Sequence, residues 1–118
     1  MTGSSASDAD LRAALLDERQ RTADRLAALQ RNFEAFVEGA EYVNTDDEHD
    51  PEGATIAFER AQVIALRDEA AATLATIDRA LADLDAGTYG RCTVCGDPIA
   101  VERLLALPGV TTCVGCAR

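Results

Sequence analysis

All four cysteines of this 118-residue chain fall within its last 27 residues, as Cys92-Thr-Val-Cys95 and Cys113-Val-Gly-Cys116, seventeen residues apart. Two C-x-x-C pairs at that separation predict a four-thiolate zinc site. Two intervening residues allow a tight knuckle to turn both sulfurs toward one ion, and two knuckles complete a tetrahedron. Gly96 and Gly115 suit such turns, since glycine accepts positive φ and close backbone approach. A pair of disulfides would need an oxidising compartment, yet Met1–Asp8 has neither the basic nor the apolar region of a secretory signal. A redox-active C-x-x-C would sit in a βαβ pattern, and none is visible. Cys92, Cys95, Cys113 and Cys116 are therefore expected to hold one structural Zn2+ in a cytoplasmic protein. Four thiolates leave no open position for water or substrate, which argues against an enzyme.

The net charge is −10, and all eleven cations are arginines. Such a charge repels a phosphate backbone, so a nucleic-acid-binding zinc module is the weaker reading of the cysteines. The acids are unevenly placed. Residues 1–53 hold thirteen against five arginines, and residues 87–118 two against three. No apolar run approaches the length of a membrane span. With no Trp, three Phe and two Tyr, the chain reads as helices packed along a seam rather than as a large globular core.

The expected fold is mainly α: a long antiparallel helical hairpin, or coiled coil, at 7–86, followed by a small four-cysteine finger at 87–118. Residues 1–6 are small and polar and read as disordered. Ser7 and Asp10 form a start signal that places Ser7 at an N-cap. Leu11, Leu15, Leu26, Leu29, Phe33, Phe36, Ala40 and Val43 then mark a first apolar stripe. Asp50-Pro51 opens a second helix, with an aspartate cap and proline at its first position. Its stripe runs through Val63, Ala70, Leu74, Ile77, Leu81 and Leu84 to a stop at Gly87. Helices of about thirty residues, roughly 45–50 Å each, fold back on one another across a short polar turn. A coiled-coil homodimer would also satisfy the seam; the matched stripes and the turn between them favour a monomer. Within the finger, Asp97-Pro98 predicts a short helix over Ile99–Leu107, with Leu104, Leu105 and Leu107 as its core. About twenty-five residues bury too little to fold without the metal.

The turn at 44–53 is strongly anionic. Asp46, Asp47, Glu48, Asp50 and Glu52 crowd it, and no lysine or arginine lies between 32 and 59. A solvated loop is the plain reading. Five clustered carboxylates with no local counter-charge also suit a partner bearing basic groups or Mg²⁺. The spacing is not that of an EF-hand. His49 lies in this turn, away from the cysteines, and is not a ligand of their metal.

The run Gly87-Thr-Tyr-Gly90-x-Cys92-x-x-Cys95-Gly96, with Ile99, Arg103-Leu104-x-Ala106-x-Pro108 and Cys113-x-x-Cys116, resembles the C4 finger of the DksA/TraR family of bacterial transcription regulators. The resemblance extends over roughly residues 10–116. It implies a regulator that binds RNA polymerase rather than DNA sequence, inserting its hairpin into the secondary channel so that an acidic tip nears the catalytic Mg²⁺ and alters initiation. It implies ppGpp as a frequent co-effector. The family's tip is Asp-x-x-Asp-x-Ala, and the matching run here is Asp50-Pro51-Glu52-Gly53-Ala54-Thr55. Asp50 matches, while Gly53 and Thr55 replace the second Asp and the Ala. Glu52 and Asp46–Glu48 are candidates for the missing carboxylate. The helix that follows the family's last cysteine has no counterpart here. A passive scaffold that only occupies the channel is a further alternative.

Overall fold

The computed structural model describes the backbone of residues 3–42 and 51–117 and the side chains of 8–35 and 53–117. Asp46, Asp47, Glu48, His49 and Asp50 lie outside the described residues, as does the side chain of Glu52. Among the described residues there are three helices, α1 (Gly3–Tyr42), α2 (Pro51–Ala86) and α3 (Val101–Ala106). The only β-pairing among the described residues is one antiparallel bridge, Arg91 to Pro98. The mainly α expectation holds.

α1 begins at Gly3, so Ser7 lies inside the helix rather than capping it, and residues 3–6 are helical. Once the turn after Ser7 has formed, each added residue extends the ladder at only its own propensity cost. α2 opens at Pro51, as read from the Asp50-Pro51 pair. It ends in a Schellman motif: the Gly87 N–H donates to the Leu84 carbonyl at 3.1 Å and the Thr88 N–H to Asp83 at 2.8 Å. Gly87 takes φ +77°, the left-handed conformation such a stop requires.

The chain forms two compact units. One comprises Met1–Arg21 with Leu74–Arg118, the other Thr22–Thr73. In the first, α1 and α2 run antiparallel. Arg12 pairs with Asp85 and, seven residues further along α1 and seven back along α2, Arg19 pairs with Asp78, each at 2.6 Å. Hydrogen bonding to Arg19 holds the Asp78 carboxyl below its ordinary range. Both pairs are well exposed, so they define register more than they add stability. Between the helices lies a core of Leu11, Leu15, Ile77, Ala80 and Leu84, continuous with Cys92, Ile99 and Leu104. The finger shares this core with the ends of the two helices.

The second unit is more thinly packed. Ala70 is buried and Leu26, Leu29, Phe33 and Val63 are half-buried. The Phe33 ring is flanked by the guanidinium groups of Arg60 and Arg67, at 5.8 and 4.9 Å from its centroid. Thr22 is fully buried, and its Oγ1 has no hydrogen-bond partner among the described residues. On the surface of α1, Asp17 and Arg21 form the expected i,i+4 pair at 2.6 Å. No helix among the described residues is long and apolar enough to cross a membrane.

Candidate metal centre

The first knuckle is a short reversal of the chain. The Cys92 N–H donates to the Asp97 carbonyl at 2.9 Å, the Ile99 N–H to Gly90 at 2.7 Å, and the Gly96 N–H back to Cys92 at 2.9 Å. Gly96 makes the reversal at φ +79°. Asp97 and Pro98 therefore form the returning arm of the knuckle and do not begin a helix; α3 starts later, with Ala100 at its N-cap and no side-chain cap. Proline fits this position because the returning arm needs no N–H from it.

In the second knuckle the N–H groups of Cys116 and Ala117 both donate to the Cys113 carbonyl, at 3.1 and 3.0 Å. Gly115 is not among the positive-φ residues, so this turn does not need glycine for its backbone conformation. Three further contacts tie the knuckles together. The Thr93 N–H and hydroxyl both donate to the Thr111 carbonyl, at 2.9 and 3.2 Å. Arg103 Nε donates to Thr112 at 2.9 Å, and the Tyr89 hydroxyl accepts from the Gly109 N–H at 3.0 Å. Partial burial pushes the Tyr89 hydroxyl above its usual pKa, against the effect of that bond. Reading the sequence for ligands assigned no role to these positioning residues, although Tyr89 and Arg103 both stood in the run that resembles the family's finger.

The hydrogen bonds bring all four sulfurs within 4.8 Å of one another. Cys95 Sγ and Cys113 Sγ lie 3.8 Å apart, close to the edge of a tetrahedron whose metal–sulfur bonds are about 2.3 Å. The cysteines are free thiols. The donor set fits zinc: four thiolates, closed, and structural. Cys92 is buried at 3% exposure and belongs to the core, while Cys95 is exposed. The site therefore spans from interior to surface.

The four thiols differ in acidity. Hydrogen bonds from backbone N–H groups, that of Cys95 foremost and then those of Cys113 and Val94, lower Cys92 to about 6 against some desolvation; the Val94 N–H lies 3.4 Å from its sulfur. Cys116, hydrogen-bonded to Cys113 first and then to Cys92 and Cys95, is pushed up to about 12. Cys95 is also raised: the Asp97 N–H lowers it, but burial and the Cys92 and Cys113 thiols outweigh that bond. Without a cation the cluster cannot hold four negative charges, so metal binding must expel protons.

Of the leucines expected to form the finger's core, only Leu104 does, at 3% exposure; Leu105 and Leu107 are 39% and 49% exposed. α3 has six residues and presents one face inward. Leu105 is turned about 100° from Leu104, and Leu107 lies past the helix end at φ −129°, ψ 74°.

Residues 87–118 match the family described as the prokaryotic DksA/TraR C4-type zinc finger. An uncharacterized protein of Aquifex aeolicus (strain VF5) is 48% identical over 47 residues, 40% of this chain and 32% of that protein. The uncharacterized protein YteA of Bacillus subtilis (strain 168) is 42% identical over 66 residues, 56% of this chain and 28% of YteA. The matches thus span about a third of the length of these relatives. Among solved structures, transcription factor DksA2 from Pseudomonas aeruginosa superposes with a TM-score of 0.77 at 27% identity, covering 95% of this chain and 81% of that one.

Proposed function

With residues 87–118 a DksA/TraR C4-type zinc finger and the chain folded like a DksA transcription factor, we propose that this protein binds RNA polymerase and inserts the acidic turn at 44–53 into the secondary channel, modulating initiation. The observation that carries this reading is the match to DksA2 over 95% of the chain, which extends through both long helices and well beyond the finger. In this reading zinc is structural. It closes the two knuckles, and Cys92, Ile99 and Leu104 then brace α1 and α2 through their common core. Asp50, with Asp46, Asp47, Glu48 and Glu52, supplies negative charge near the catalytic Mg²⁺ of the polymerase. Direct recognition of a DNA sequence has no part in it, since the net charge of −10 opposes a phosphate backbone. The protein acts as a monomer in the cytoplasm.

Gly53 and Thr55 stand where the family carries its second Asp and its Ala. That departure favours a second reading, in which the chain occupies the channel without the family's regulatory output, and it separates polymerase binding from any ppGpp response. The test is capture of purified RNA polymerase by the intact chain and by one lacking residues 44–53, followed by transcription from a short-lived open complex, with and without ppGpp. The proposal expects capture by the intact chain and a changed initiation rate that depends on 44–53. Capture with no effect on initiation selects the passive reading, and absence of capture overturns both.

A further inference from the structure

The two halves of the metal site are held in different ways. In the first, Cys92, Ile99 and Leu104 are buried in the core shared with α1 and α2. The first knuckle is closed by its own backbone, and the Arg91 guanidinium adds a bond to the Gly96 carbonyl at 3.2 Å. In the second half Gly109 is buried, and none of residues 110–117 is. Val110, Cys113 and Cys116 are half-buried against the edge of the same core. A segment that buries so little opens at lower cost than one built into a core.

Gly109, Val110, Thr111 and Thr112 lead directly into Cys113. At one end of this run the Gly109 N–H donates to the Tyr89 hydroxyl; at the other the Thr112 carbonyl accepts from Arg103 Nε. Thr93 reaches the Thr111 carbonyl between them. Gly109 itself rests on α2: a Cβ added there would stand 3.6 Å from Thr76 Cγ2 and 3.7 Å from Ile77 Cγ1. Tyr89 packs against the shared core, and Arg103 immediately precedes the buried Leu104. Each is thus a side-chain strut from the well-buried half to the lightly buried one.

We propose that the Cys113 and Cys116 pair is the half that opens to admit or release the metal, and that Tyr89 and Arg103 are positioning residues that hold it closed. They act through the chain, by fixing residues 109–112 and so the approach of Cys113 to Cys95, whose sulfurs lie 3.8 Å apart. The first knuckle keeps its backbone bonds when the second pair swings away, because those bonds run between residues 90 and 99 alone. Metal retention set in this way is independent of the polymerase reading.

The experiment follows zinc transfer from the loaded full chain to an excess of a chromogenic chelator, for the parent, Y89F, R103M and T88V. Y89F keeps the ring and removes the acceptor; R103M keeps an unbranched stem and removes the donor. T88V is the control, since the Thr88 hydroxyl bonds the Asp83 carbonyl on α2. Zinc should leave Y89F and R103M about tenfold faster, the low end for losing a residue that orients a metal ligand, and leave T88V at the parental rate. Cobalt-loaded Y89F should keep the parent's thiolate charge-transfer absorbance, showing that all four sulfurs still bind. Amide exchange in Y89F should quicken over residues 109–117 and stay parental over 92–99. Parental release from either variant overturns the proposal. So does exchange that quickens equally over 92–99, which would make Tyr89 a general support of the fold, and so does a control that releases zinc as fast as Y89F.

Discussion

Cys92 and Cys116 end up on opposite sides of neutrality although both are cysteines of C-x-x-C pairs. The difference is local: Cys92 is reached by several backbone N–H donors, whereas Cys116 faces the other thiols. The sign of the pH dependence follows. At pH 7 Cys92 is mainly thiolate, while Cys95 and Cys116, both raised, are thiols that must lose protons to the metal. Zinc affinity should thus rise with pH through neutrality and collapse below pH 6, where Cys92 is protonated as well. Calorimetry in buffers of differing ionisation enthalpy should find at least two protons released per zinc at pH 7; no release would contradict this assignment of the thiols. Replacing Cys92 with serine should reduce bound zinc from one per chain to none by metal analysis. Because the same residue is part of the core, it should also loosen Ile99 and Leu104, seen as faster amide exchange in the finger. All four ligands were legible in the sequence, because a tetrahedral ion imposes its spacing on any chain that encloses it.

At the scale of helices and turns, the two halves of the α1–α2 pairing differ in what holds them. Ile77 joins a core contributed by α1, α2 and the finger. Ile77→Ala should therefore cost about 2–5 kcal/mol, lowering the melting temperature and the zinc affinity together. Thr22 is the opposite case, a buried hydroxyl without a partner among the described residues. Thr22→Val should stabilise the protein by about 1 kcal/mol, measured as a higher denaturant midpoint with unchanged slope. The start of α2 and its stop at Gly87 could be read from sequence, since proline at a first turn and glycine after a last one act through their own backbones. The returning arm at Asp97-Pro98 could not. An Asp-Pro pair serves equally as a helix start or as a turn, and the choice was made by Cys92 and Gly90 across the knuckle.

For the molecule as a whole, charge and metal are segregated. The finger carries two acids and three arginines, against thirteen and five in residues 1–53. The finger serves as a structural brace, and the proposed contact with polymerase belongs to the acidic part of the chain. Asp50→Ala should keep its zinc and its helix content, losing no more than a cap of about 1 kcal/mol, yet abolish the effect on transcription initiation. A variant that regulates as well as the parent would remove the turn from the mechanism. Gel-shift measurements at low ionic strength should detect no DNA binding; affinity that falls steeply with added salt would restore the nucleic-acid reading.

What the chain order alone determined is whatever depends on neighbours a few residues apart: the four ligands, the two long helices, the proline start and the glycine stop. These are set by ion geometry and by backbone hydrogen bonds within one or two turns. Only the tertiary structure decided which of Leu104, Leu105 and Leu107 faces inward, that Thr22 is sealed, and that the finger shares a core with Leu11, Leu15 and Ile77. The physical reason is that burial is a relation between distant segments. A six-residue helix has too few turns for its own pattern to mark a face, so its inward side is chosen by the surface it meets.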